Sequence, residues 1–117
     1  MSNDIQTYSR QGFGAQLELK APFGLLIIDL VNGFANPQVF GGGNIPQAIA
    51  NTVPLLAEAR KRGWPVAHTR IVFADDGADA NVFSLKVPSM LGLKEDDPNS
   101  AIVPELTPAE GEFVVRK

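Results

Sequence analysis

The run Gly24-Leu-Leu-Ile-Ile-Asp-Leu30 constrains this chain more than any other segment. Its apolar residues show no polar alternation, the pattern of a parallel strand covered on both faces. Asp29 is then a carboxylate where a buried strand least tolerates one, unless it is paired or sits where the strand opens into a crevice. Ligands of open α/β sheets bind outside the carboxyl ends of strands, and Asp29 stands at such an end. It is a candidate general base or metal ligand, against the plainer role of a capping or salt-bridged carboxylate. A second charge, Lys117, ends the run Glu112-Phe-Val-Val-Arg-Lys117 in a comparable position. A terminal lysine is usually solvated. Paired with Asp29, it would balance that charge and stabilise negative charge on a substrate.

Composition narrows the class. A length of 117 residues fits one small domain, and 44% hydrophobic with 20% charged residues fits a soluble globular chain rather than a disordered one. A net charge of −3 argues against nucleic-acid binding, which calls for a basic stripe. The dense basic run Arg60-Lys61-Arg62 reads as the favourable last turn of a helix. No apolar stretch approaches the roughly 20 residues needed to cross a bilayer. Residues 1–11 lack the apolar core of a signal peptide, so a cytoplasmic location is expected. Cysteine is absent, which excludes disulfides and thiolate metal sites within these residues.

The organisation follows from periodicity and punctuation. Residues 1–20 carry little core-forming pattern and read as an arm, either loose or packed on a neighbouring subunit. Residues 21–117 read as the folded part. After a Gly- and Asn-rich connection at 32–43, a helix is expected over about 44–62. There Ile45, Ala48, Ile49, Thr52, Val53, Leu56 and Ala59 fall on one stripe. Asn44 suits an N-cap, Pro46 the first turn and Gly63 the stop, whereas Pro54 should bend the helix. Residues 64–72 read as a second buried strand, making a βαβ unit. Residues 73–111 form a long irregular stretch with a short helix near 87–91, the kind of segment that serves as a functional loop, lid or insertion. A third strand is expected over 113–117. One helix covers one face, so three strands apolar on both faces should be part of a larger domain or need a partner.

Other candidates are weaker. His68, the lone histidine, is more often a satisfied structural residue than a catalyst, and no second histidine exists for a zinc site of the usual kind. Arg70 could bind a substrate carboxylate, with a structural salt bridge the stronger alternative. Asp75, Asp76 and Asp79 lack the spacing of a calcium loop. Gly41-Gly-Gly43 fits neither the dinucleotide nor the P-loop spacing and reads as a turn.

The segment Gly24-Leu-Leu-Ile-Ile-Asp-Leu-Val-Asn-Gly-Phe34 resembles the first strand of the isochorismatase-like cysteine hydrolases. The similarity continues through Phe40-Gly-Gly-Gly-Asn44, Arg62-Gly-Trp64, Ala67-His68, Ala74-Asp-Asp76, Lys86-Val-Pro88, Ala101-Ile-Val-Pro104 and Val114-Val-Arg-Lys117. The middle segments point to the N-carbamoylsarcosine amidase branch. The resemblance implies a three-layer α/β/α fold with a six-stranded, mostly parallel, Rossmann-like sheet, of which these residues supply about three strands. It implies an Asp-Lys-Cys triad in which Asp29 and Lys117 hold the first two places. The nucleophilic cysteine would lie beyond this chain, in the missing C-terminal half of the domain. Asn32, Phe34 and Arg70 are the candidate substrate-binding residues. The metal-binding Asp-x-His motif of related nicotinamidases has no counterpart in Asp29-Leu-Val-Asn, so no metal and no cofactor are expected.

The implied activity is hydrolysis of a C–N bond in a small linear amide or ureido acid such as N-carbamoylsarcosine, with release of ammonia. The alternatives are a maleamate amidohydrolase and a non-catalytic binding or assembly fragment. The 117 residues alone should be inactive. The implied partners are a small-molecule substrate and copies of the same chain in a homo-oligomer, with neither nucleic acid nor membrane. In the implied strand order three, two, one, Asp29 and Lys117 stand two strand spacings apart, about 9–10 Å. A lysine reaches roughly 6 Å, so the charges should meet above the second strand at about 3–4 Å. That expectation takes side-chain alternation to give Leu25, Ile27 and Asp29 one face, shared with Phe113, Val115 and Lys117.

Overall fold

The structure, a computed structural model, describes residues 2–117. Helix α1 (Ser2–Arg10) precedes strand β1 (Leu25–Ile28), a one-turn helix α2 (Asn32–Ala35) and the long helix α3 (Ile45–Lys61). Strand β2 (Val66–Arg70), short helix α4 (Val82–Lys86) and strand β3 (Phe113–Arg116) follow. The strands are parallel in the order β1-β2-β3. Leu26 pairs with Ala67 and Ile28 with Thr69, and across β2 Ala67 pairs with Phe113 and Thr69 with Val115.

Helix α3 covers one face of this sheet. Ile49, Leu56 and Ala59 are buried against Ile27 and Val66, with Val103 and Leu106 completing the cluster. Burying Leu56 contributes about 1.5–3 kcal/mol. Ile45, Ala48 and Thr52 are partly buried, but Val53 is exposed. The stripe is therefore narrower than its sequence pattern. Asn44 stands at the N-cap position without a side-chain bond, Pro46 lies in the first turn, and Gly63 ends the helix at φ 71°. Pro54 lies inside α3, which continues past it. Both Pro54 and Ala50, whose carbonyl loses its partner, are exposed to water.

The other face is bare. Leu26 and Ile28 are each 56% exposed, with Phe113 at 67% and Val115 at 49%. By register these residues flank Ala67 and Thr69 on one side of the sheet. The α/β architecture is present, with one helical layer in place over the three strands.

Residues 73–111 are more than a loop. They fold into three short 3-10 turns, Pro88–Gly92, Pro98–Ser100 and Pro104–Leu106, and they place Leu93, Val103 and Leu106 in the interior. An antiparallel bridge joins Val31 to Ile102, and Val103 N–H donates to Leu30 O at 3.1 Å. The single helix expected near 87–91 is instead α4 followed by a 3-10 turn. Pro88 holds Val87 out of helical conformation, at φ −128° and ψ 79°. Asn81 caps α4 by accepting from Ser84 N–H, and Ser84 Oγ accepts from Asn81 N–H in return. In the N-terminal arm, Ile5, Tyr8, Phe13, Leu17 and Leu19 are all exposed. Met1, at the start of that arm, lies outside the described residues. No helix among the described residues is long and apolar enough to cross a membrane.

Candidate active site at the carboxyl edge of the sheet

Strand β1 ends at Ile28, and the next residue turns sharply. Asp29 has φ 58°, the one non-glycine residue in the left-handed region among those described. Aspartate is among the few side chains that tolerate this conformation, at a cost of roughly 1 kcal/mol. Its N–H still completes the parallel ladder, donating to Thr69 O at 3.2 Å and Thr69 Oγ1 at 3.1 Å. The Thr69 hydroxyl in turn donates to Asp29 Oδ1 at 2.7 Å.

The second carboxylate oxygen meets the lysine. Lys117 Nζ lies 2.9 Å from Asp29 Oδ2, with the lysine side chain 52% exposed and that of Asp29 19% exposed. Alternation alone does not produce this pair. The register puts Phe113 and Val115 on the face of Leu26 and Ile28, opposite Ile27. An extended Asp29 would therefore have faced α3, away from Lys117. The left-handed turn brings the carboxylate to the bare face, beside Thr69.

Main-chain bonds fix Lys117 as well: its N–H donates to Arg70 O at 2.9 Å, and its carbonyl accepts from Val72 N–H at 2.8 Å. Beside its side chain opens a cavity of about 340 Å³. Ile71, Phe73, Phe83 and Met90 give it apolar walls, while Asp79 and Asn81 contribute polar groups. The site thus offers a carboxylate and an ammonium at the carboxyl edge, next to a mainly apolar recess.

The side chains of the remaining candidates are engaged in other contacts. Asn32, in α2, donates from Nδ2 to Pro98 O at 3.0 Å and so anchors the 98–100 turn. Phe34 packs edge-on against Phe40, with ring centroids 5.2 Å apart. Arg70 donates from Nε to Ser100 O at 2.9 Å and from Nη2 to Glu95 O at 2.7 Å and Ser100 Oγ at 3.1 Å. It also faces the Glu95 carboxylate at 3.5 Å. Its guanidinium ties the 95–100 loop to β2.

His68 is fully buried on the α3 side, where Nε2–H donates to Glu112 Oε1 at 3.0 Å and Nδ1 has no protein partner. Glu112 also receives Arg60 in bidentate fashion at 2.8 and 2.9 Å, and the N–H of Ala109 at 2.9 Å. The Arg60 hydrogen bonds outweigh desolvation and, with the Ala109 and His68 bonds, lower the Glu112 carboxyl to about 2. The same hydrogen bond raises Arg60 above its usual value. This network fastens α3, β2 and the 107–112 turn on the opposite face from Asp29. Neither Glu112 nor Thr69 stands out in the sequence. The available signal for Thr69 was a hydroxyl in the strand-end position next to that of Asp29.

The isochorismatase domain model matches residues 23–117. A cysteine hydrolase from Pseudomonas syringae pv. phaseolicola 1448A superposes with a TM-score of 0.75 at 19% identity, over 88% of this chain and 52% of that one. An isochorismatase family protein from Desulfovibrio vulgaris subsp. vulgaris str. Hildenborough is 32% identical, with a TM-score of 0.63 over 80% of this chain and 51% of that one. N-carbamoylsarcosine amidase from Thermoplasma acidophilum gives a TM-score of 0.58 at 20% identity, over 80% of this chain and 50% of that one. The chain therefore spans about half the length of these structures. No curated protein matches it in sequence.

Proposed function

We propose a function from one established premise: the chain belongs to the isochorismatase family. The complete protein is an amidohydrolase that cleaves a C–N bond of a small linear amide or ureido acid and releases ammonia. The observation that carries this reading is the Asp29–Lys117 pair, 2.9 Å apart at the carboxyl edge of a parallel sheet and adjacent to a recess of about 340 Å³.

Asp29 and Lys117 act in it with a cysteine thiol. These 117 residues contain no cysteine, so polypeptide beyond them supplies the thiol, over the bare face where Asp29 lies. Asp29 takes the thiol proton, because thiolate is the nucleophile. The sulfur attacks the amide or ureido carbonyl, and the negative charge of the tetrahedral intermediate falls on its oxygen. Protonated Asp29 returns the proton to the leaving nitrogen, the C–N bond breaks, and ammonia departs. Water then hydrolyses the acyl-sulfur intermediate, a thioester from an amide or a thiocarbamate from a ureido acid, releasing the carboxylic or carbamic acid and regenerating the thiol. Lys117 holds the carboxylate in place and makes the edge electropositive toward the developing oxyanion. Asn32 and Phe34 are secondary candidates for substrate contact, whereas the bonds of Arg70 to Glu95 and Ser100 favour an architectural role for it. Neither a metal nor a cofactor enters these steps.

N-carbamoylsarcosine is the leading substrate and maleamate its nearest rival. Steady-state ammonia release from both compounds by the complete polypeptide tests the assignment. Turnover of N-carbamoylsarcosine above maleamate is the expected result, and inactivity on both would overturn it. A second reading, a non-catalytic module of the same fold, is favoured by the lack of cysteine in these residues. An intact mass near 12.5 kDa for the protein isolated without a companion polypeptide would select it. A longer polypeptide carrying a cysteine would select the amidohydrolase.

A further inference from the structure

Thr69 makes two side-chain contacts with Asp29, and no other hydroxyl among the described residues hydrogen-bonds to that carboxylate. Its Oγ1 accepts the Asp29 N–H at 3.1 Å and donates to Asp29 Oδ1 at 2.7 Å. One hydroxyl thus grips both the backbone and the side chain of a residue held at φ 58°. We propose that Thr69 is the positioning residue of the site, fixing the Asp29 carboxylate so that Oδ2 faces Lys117 across β2. The inference rests on the proposed roles of Asp29 and Lys117.

Three features favour this role over a merely structural one. First, the register alone would send Asp29 to the α3 face, so something must hold it on the other side. Thr69 flanks Ile28 in the sheet and carries its hydroxyl on the bare face, within reach of a residue one step beyond the strand. Second, Lys117 reaches the carboxylate on a half-exposed stem of four rotatable carbons, whereas Thr69 is β-branched and restricted at χ1. Third, the bonding divides the carboxylate. The hydroxyl occupies one lone pair of Oδ1 and the ammonium one of Oδ2, and each oxygen keeps a second lone pair to receive a proton. A carboxylate clamped at both ends is presented in one orientation, as proton transfer from a neighbouring thiol requires.

Thr69→Val keeps the shape and removes the hydroxyl; Thr69→Ser restores the hydroxyl without the methyl group. Both are made in the complete polypeptide and assayed for ammonia release, with Asp29→Asn alongside. The expected result is a fall in kcat of about 10- to 100-fold for Thr69→Val, the range for losing a hydrogen bond to a charged group, with KM little changed. Thr69→Ser should recover most of that loss. A Thr69→Val enzyme with unaltered kcat, beside an inactive Asp29→Asn, would overturn the positioning role while leaving the catalytic reading intact. Equal losses in Val and Ser variants would also overturn it, since packing rather than the hydroxyl would then matter. Full activity in Asp29→Asn would remove the catalytic reading itself.

Discussion

Asp29 and Lys117 meet at 2.9 Å above β2 although strand alternation assigns them to opposite faces of the sheet. The reconciliation is local: β1 stops at Ile28, and a left-handed residue rotates the carboxylate onto the face where Lys117 lies. Non-glycine residues held in this region concentrate where the surrounding structure over-determines them, often at functional sites. Here the surroundings are the last rung of the ladder, the Thr69 hydroxyl and the lysine.

Asp29→Asn is the substitution that isolates the chemistry. Asparagine also tolerates the left-handed region and is close in shape, so the turn after β1 should survive. In the complete polypeptide it should lower turnover by at least about 100-fold, the low end of what a positioned acid–base group contributes. The melting temperature should stay within a few degrees of the parent. Asp29→Ala is a poorer probe, because it adds backbone strain of roughly 1 kcal/mol to the loss of charge. Ammonia release by Asp29→Asn at the parent rate would exclude the carboxylate from the reaction.

Glu112 predicts how the fold responds to acid. Its carboxyl lies at about 2, below the ordinary 4.5, chiefly through the Arg60 hydrogen bonds. A depressed carboxylate adds stability that is fully present above its unfolded value and is lost as pH falls from about 4.5 toward 2. Glu112→Gln should destabilise the protein by about 2 kcal/mol near neutrality and flatten the dependence of stability on pH across that window. Denaturant titrations at a series of pH values would read both effects. A parallel pH profile for parent and variant would remove Glu112 as the source.

The larger elements were legible because each carried a redundant pattern. The apolar run ending at Asp29, the strand pattern over residues 64–72, the stripe of Ile49, Leu56 and Ala59, and the stop at Gly63 specify a βαβ unit independently of one another. The strand order was implied by the family resemblance rather than by these patterns, and with it came the meeting of Asp29 and Lys117. The reason given by alternation was wrong, because period-2 reasoning assumes extended backbone through residue 29, and one positive φ reverses the face. Val53 was misplaced for a related reason: its spacing fits the stripe, but α3 meets the sheet along a narrower line. The segment 73–111 was hardest to read. Its order comes from long-range partners, such as Arg70 with the Ser100 carbonyl and Val31 with Ile102, which leave no local periodicity.

The bare face predicts association. Leu26 and Ile28 of β1 and Phe113 and Val115 of β3 leave exposed apolar side chains on either side of Ala67 and Thr69, and β1 and β3 are both free edges among the described residues. Such surfaces drive pairing with another chain. The 117 residues expressed alone should therefore self-associate in sedimentation experiments and bind a hydrophobic dye. Leu26→Lys combined with Phe113→Lys should reduce both. A monodisperse, cooperatively melting monomer of the unaltered 117 residues would contradict the prediction.

Arg70 separates architecture from substrate contact. Its guanidinium donates to two backbone carbonyls, of Glu95 and Ser100, and to the Ser100 hydroxyl, which itself donates to the Ile71 carbonyl. Lysine carries a point charge and cannot reproduce this fork. Arg70→Lys should therefore leave at least one loop carbonyl without its donor and destabilise the complete polypeptide by about 1–3 kcal/mol. The effect should appear as a lower melting temperature and faster proteolysis within residues 93–100. KM for the amide substrate should stay within about twofold, because an architectural residue does not contact the bound molecule. The opposite pattern, a large rise in KM with unchanged melting, would move Arg70 from the scaffold to the substrate-binding site.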